Sequence, residues 1–92
     1  MRDVILVHGL WAPALVMTPL AARLQAAGFR CHLFDYPSRD RPLEAHAERL
    51  ARYAHGIGPA HFAGHSLGGL VVLEALEHRR ELRAGNVLLL GA

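Results

Sequence analysis

The sequence predicts an α/β fold in three layers, with a mostly parallel sheet between helices. Three observations carry this. Four short apolar runs alternate with three helical patterns along the 92 residues. The first and last runs, Val4 to Val7 and Val87 to Leu90, are apolar at consecutive positions, as in strands buried on both faces. The segments between runs are long enough for crossover helices, which join parallel strands.

Val4-Ile5-Leu6-Val7 reads as the first strand. Thr18 then supplies a cap and Pro19 the first helical position, where a missing N–H costs nothing. That helix runs through Leu20 and Leu24 to Ala27, and Gly28 stops it. Arg30 to Tyr36 is a second strand ended by Pro37, and residues 37–42 form a polar loop. Pro42 to His55 is a second helix with Leu43, Ala47, Leu50 and Ala54 along one stripe; Gly56 and Gly58 end it. The third strand spans Ala60 to Gly64, with His61 at its start. The third helix spans Ser66 to Arg80, with Leu70, Val71, Leu73 and Leu76 as its apolar face. Gly85-Asn86 reads as a turn, and Val87 to Leu90 as a fourth strand. The order β-α-β-α-β-α-β implies right-handed crossovers, and ligands in such sheets bind beyond the carboxyl ends of the strands.

Composition removes several function classes. All ten basic residues are arginine, which excludes a Schiff-base lysine, a Ser-Lys dyad and a P-loop lysine. The formal net charge is only +2. Arg79, Arg80 and Arg83 cluster at a helix C-terminus, where they complement the dipole, so no nucleic-acid partner is expected. Cys31 is the single cysteine; it sits in an apolar strand and reads as buried and inert. Neither a metal nor a cofactor is expected from this set of residues. The apolar run in residues 1–7 is too short for a signal-peptide core or a transmembrane segment, so the simplest location is cytoplasmic. A chain of this size buries only roughly 60% of its unfolded surface, so its core is marginal.

The chemistry lies at the end of the third strand, in Gly64-His65-Ser66-Leu67-Gly68 followed by Gly69. A serine between a strand and a helix, flanked by glycines, can sit on a sharp, strained turn that lifts its hydroxyl clear of the sheet. The glycines are needed where strand and helix approach closely, and the helix N-terminus aims free N–H groups at the reacting centre. Glycine is 9 of 92 residues, so this flanking pair arises around a given serine about once in a hundred by chance. The competing reading is a helix N-cap serine after a glycine-rich turn. The three glycines Gly64, Gly68 and Gly69 lack the spacing of a dinucleotide fingerprint.

A second feature is His8-Gly9-Leu10-Trp11 at the carboxyl end of the first strand. If that strand neighbours the third, its loop lies beside Ser66, and the Leu10 and Leu67 N–H groups would form an oxyanion hole. Read alone, the segment is a glycine turn with Trp11 covering the core.

Val7-His8-Gly9-Leu10, Asp35-Tyr36-Pro37, Gly64-His65-Ser66-Leu67-Gly68-Gly69 and Leu89-Leu90-Gly91-Ala92 together resemble the lipase/esterase branch of the α/β-hydrolase superfamily. The resemblance covers essentially the whole chain and only the first half of that fold. It implies a single domain over residues 1–92, truncated after the strand that follows the nucleophile helix. It also implies the sheet order second, first, third, fourth strand. Small bacterial lipases that lack the usual first two strands are the nearest architectural match.

A serine nucleophile needs a base, and the base an orienting acid, which in this fold follow the serine in the order Asp or Glu, then His. After Ser66 the chain offers Glu74, Glu77, Glu81 and His78. Twelve helical residues place His78 roughly 18 Å from Ser66, out of reach. His65 should point away from the hydroxyl, and His8 should make a structural hydrogen bond. Asp35 is placed to help hold the oxyanion loop, while His32, His46 and His55 have no reason to converge. Acid and base are therefore expected beyond residue 92. The expected activity is cleavage of a small carboxylic ester through an acyl-enzyme on Ser66. Thioester or amide cleavage in the same fold, or a non-catalytic module, are the alternatives.

Overall fold

A computed structural model describes residues 1–9, 17–37 and 41–91. Its elements are β1 (Asp3–Val7), α1 (Thr18–Ala26), β2 (Arg30–Phe34), α2 (Leu43–Ile57), β3 (Ala60–His65), α3 (Leu67–His78) and β4 (Ala84–Leu90). The four strands form one sheet in the order β2-β1-β3-β4, with every pair parallel. Both the strand inventory and the order match the expectation.

Topology decides which face each helix covers. From β1 the chain steps to β2 on one side; from β2 to β3 and from β3 to β4 it steps the other way. Right-handed crossovers then put α1 on one face and α2 with α3 on the other. The core divides accordingly. Ile5, Val7, Phe34 and Phe62 pack with Leu50, Ala51, Ala54, Val71, Val72 and Ala75 of α2 and α3. Val4, Leu6 and Ala63 pack with Met17 and Ala21, flanked by Leu20 and Leu24 of α1. Alternate residues of β1 thus serve opposite layers, as strand pleating requires.

Several boundaries differ from the sequence reading, each for a local reason. Helix α1 begins at Thr18, with Met17 rather than Thr18 in the N-cap position. The predicted stop at Gly28 is there, with φ 99° and the Phe29 N–H bonded back to the Leu24 carbonyl. Helix α2 runs through Gly56 and ends at Gly58, where φ is 98°. Strand β2 stops at Phe34 because Tyr36 leaves the ladder to bond the first strand's loop. Helix α3 ends at His78 rather than Arg80. There the Arg80 Nε donates to the Glu77 carbonyl, while Arg79 joins Glu48 of α2 and Glu81.

Two corrections are larger. Gly85 and Asn86 are not a turn but part of β4. The Asn86 N–H donates to the His61 Nδ1 at 2.8 Å, and the β3–β4 register shifts between Ala60 and Phe62. A Cβ on Gly85 would stand 2.5 Å from that ring nitrogen, so glycine is there for close approach. The buried face of α3 is only in part the expected one: Val71 is buried and Leu76 packs against the core, but Leu70 and Leu73 do not. Gly68, Gly69, Val71, Val72 and Ala75 face inward, whereas Leu70 and Leu73 are 55% and 44% exposed. The close approach of α3 to the sheet favours small and β-branched residues on its inner stripe, with Leu67 and Leu76 packing at its margin.

Candidate active site

The step direction reverses between β1 and β3, so their carboxyl ends flank the crevice where open parallel sheets bind ligands. Two segments meet there: His8-Gly9 leaving β1, and His65-Ser66 leaving β3.

Ser66 adopts φ 56° and ψ −120°, and it is the only non-glycine residue with positive φ among the described residues. Such a backbone costs on the order of 1–3 kcal/mol and persists only where neighbours hold it. Here the Ser66 N–H donates to the Leu90 carbonyl and the Ser66 carbonyl accepts from the Gly69 N–H, both at 2.9 Å. The flanking glycines are required by contact. A Cβ on Gly64 would meet the Gly69 N and Cα at 2.6 Å. One on Gly68 would overlap the Val7 carbonyl and stand 2.5 Å from the His8 carbonyl oxygen. Gly69 packs against Leu89. The strand-to-helix turn is thus wedged against β1 with no room for side chains.

This geometry decides between the two readings of Ser66. It occupies the N-cap position of α3, but its side chain makes no capping hydrogen bond, and its φ is far from the extended backbone of a capping serine. Its hydroxyl is not consumed by the helix. Leu67 opens α3, so its N–H has no carbonyl one turn earlier within that helix.

Gly9 lies directly against the turn. A Cβ there would be 3.1 Å from the Ser66 Cβ, 2.8 Å from the His65 carbonyl oxygen and 3.2 Å from the His65 Nδ1. The loop from β1 therefore reaches Ser66, as the sequence implied. Leu10 and Trp11 lie outside the described residues.

His8 is 2% exposed and tightly held. Its Nδ1 is 3.0 Å from the Gly9 carbonyl oxygen, which can only accept, so Nδ1 carries the proton. Its Nε2 is 3.2 Å from the Tyr36 N–H, which can only donate, so Nε2 offers its lone pair. The exposed Asp35 carboxylate also lies 3.0 Å from Nε2. The Tyr36 hydroxyl donates to the His8 carbonyl at 2.7 Å, and the two rings stack with centroids 4.3 Å apart. Burial pushes the Tyr36 phenol up to about 12, so it remains a donor at any ordinary pH. His46 of α2, expected to stand apart, packs its buried ring on Tyr36 at 4.7 Å.

The remaining histidines are engaged elsewhere or face other groups. His32 pairs with Asp3, whose carboxyl is held below its usual range first by that hydrogen bond. His78 pairs with Glu74 one turn back on α3, and His61 accepts from Asn86. His55 is exposed near the end of α2. The His65 Nδ1 is buried beside Gly9 without a hydrogen-bond partner among the described residues. None of these reaches the Ser66 hydroxyl through a hydrogen bond among the described residues. Cys31 is half-buried, its thiol turned toward the Ala21 carbonyl and its pKa raised by burial. Among the described residues no cluster could hold a metal ion, and no helix is long and apolar enough to cross a membrane.

Residues 4–92 match the model of the alpha/beta hydrolase family. The chain belongs to the α/β-hydrolase family. No curated protein matches the sequence. Among solved structures, this chain is similar to an extracellular α/β-hydrolase from a Paenibacillus species, described as homologous in structure and function to tobacco salicylic acid binding protein 2. The TM-score is 0.77 at 21% identity, over 97% of this chain and 40% of that one. It is equally similar to a pyrethroid hydrolase from Sphingobium faniae JZ-2, at TM-score 0.77 and 22% identity, over 96% of this chain and 38% of the other. At these identities the likeness is one of fold, and the chain spans about two fifths of either neighbour's length.

Proposed function

We propose that this chain is the amino-terminal, nucleophile-bearing part of a serine hydrolase that cleaves small carboxylic esters. The observation that carries the reading is the strained, uncapped Ser66, wedged between Gly64 and Gly68 at the crevice and faced by Gly9. In the reaction, the Ser66 hydroxyl attacks the ester carbonyl and its proton passes to a histidine base. The Leu10 and Leu67 N–H groups hold the tetrahedral oxyanion, which collapses to an acyl-enzyme and releases the alcohol. Water then attacks the acyl-enzyme and frees the acid. The base and its orienting carboxylate are expected from elsewhere in the full-length protein, since no histidine among the described residues hydrogen-bonds the Ser66 hydroxyl.

The small side-chain-free turn does not select oxygen esters over thioesters or amides; the hydrolase neighbours support hydrolysis in general. Ser66→Ala in the full-length protein is expected to abolish turnover of p-nitrophenyl esters. Turnover unchanged by that substitution would remove Ser66 from the mechanism and leave a non-catalytic module as the better reading.

A further inference from the structure

The strained serine is held by its own neighbours, but an oxyanion donor on the β1 loop needs a separate brace. We infer that Tyr36 and His8 are positioning residues that set the oxyanion donor beside Ser66, with Tyr36 as the anchor. The inference rests on the serine hydrolase reading and extends it to two residues that touch no substrate.

The geometry is specific. Two consecutive carbonyls of the loop are pinned: that of His8 by the Tyr36 hydroxyl at 2.7 Å, and that of Gly9 by the His8 Nδ1 at 3.0 Å. A peptide unit is planar and trans, so holding its carbonyl oxygen holds the plane of the whole unit. The unit that carries the Gly9 carbonyl also carries the proposed Leu10 donor. The imidazole braces it by donating from Nδ1, while the Tyr36 N–H and the Asp35 carboxylate hold the ring at Nε2. Tyr36 therefore acts three times on one loop: through its hydroxyl, its backbone N–H and its ring face. Its own place is set by Phe34, whose ring stacks on it at 5.7 Å, and by His46. Both Tyr36 and His8 are at most 4% exposed, so water does not compete for these bonds.

A brace of this kind stabilises the transition state rather than the bound ester, because charge on the carbonyl oxygen develops only during attack. The test uses the full-length protein. Tyr36→Phe keeps the ring stack and removes only the hydroxyl. It is expected to lower kcat by about tenfold or more while KM stays within about twofold. Affinity for a trifluoromethyl ketone, which forms an oxyanion on the serine, should fall by the same factor. His8→Asn sets an amide N–H at the place of Nδ1 and should retain more activity than His8→Gln, whose amide falls at Nε2. A merely structural role would lower thermal stability and move kcat and KM without this ranking. If Ser66 takes up a fluorophosphonate and Tyr36→Phe matches wild type in kcat and inhibitor affinity, the positioning role is overturned alone. Equal or better activity in His8→Gln than in His8→Asn overturns it too. An unlabelled Ser66 in wild type would sink the hydrolase reading, and the brace with it.

Discussion

The turn at Ser66 and the edge strand β4 lie at opposite extremes of local determination. Around Ser66 nearly every atom position is forced: three glycines have no room for a Cβ, and two backbone hydrogen bonds hold a strained φ. Beside β3, the outer strand is loosely specified. Val87, Leu88 and Leu89 are 37%, 51% and 49% exposed, and no residue of β4 carries a charge. The other edge shows how the same sheet is finished when it meets water. On β2, Arg30 and His32 both reach Asp3 of β1, so that edge is polar and paired across strands. The lesson is that the strained turn is encoded by contacts within this chain, while the apolar surface of β4 asks for something to cover it.

That contrast can be broken most severely at Gly68. Gly68→Ala drives a methyl into the Val7 and His8 carbonyls, which are backbone and cannot rotate away. We expect a loss of about 3 kcal/mol or more, enough to unfold a marginal domain. A cooperative melt like that of wild type would show the turn to be far looser than described.

Gly9→Val strikes the same crevice from β1. Its Cβ would press on the His65 carbonyl oxygen and the Ser66 Cβ, displacing the loop that is proposed to carry the oxyanion donor. Turnover is expected to fall roughly 10²-fold, about 3 kcal/mol, with a smaller effect on folding. A folded variant with near-normal turnover would refute the oxyanion assignment.

At the loose end of the comparison the expected effects are smaller and of another kind. The 92-residue chain alone should self-associate at micromolar concentration through β4. Leu88→Lys places a charge on the exposed strand and should shift sedimentation toward monomer without changing the Ser66 turn. If wild type sediments as a monomer, the β4 surface is not adhesive.

The smallest effect concerns pH. Desolvation raises the Tyr36 pKa to about 12 from an ordinary value near 10, so the folded state holds the phenolic proton more tightly. This contribution is fully present below about pH 10 and is lost as pH rises toward 12. Tyr36→Phe should flatten that part of the alkaline stability profile. An unchanged profile would place the phenol in water.

Much of this was legible in the sequence because it depends on local chemistry. Glycines around a serine at a strand end announce the turn, and alternating strands and helices imply the parallel sheet. What escaped was set by neighbours distant in sequence. Gly85-Asn86 has turn composition, yet the His61 ring recruits it into a strand. Leu70 and Leu73 follow helical hydrophobic spacing, yet the tight approach at Gly64 and Gly69 turns smaller residues inward. The Tyr36–His8–His46 stack joins the segments leaving β2 and β1 to α2, and no spacing along the chain signals it. Its one visible sign was Tyr36 between Asp35 and Pro37, where a strand was ending.

The central claim is that Ser66 is an activated nucleophile. The most direct measurement is to treat the full-length protein with a fluorophosphonate and map the adduct by tandem mass spectrometry. The account predicts stoichiometric modification of Ser66, abolished in Ser66→Ala together with ester turnover. Ester turnover that persists with Ser66 unmodified would contradict it.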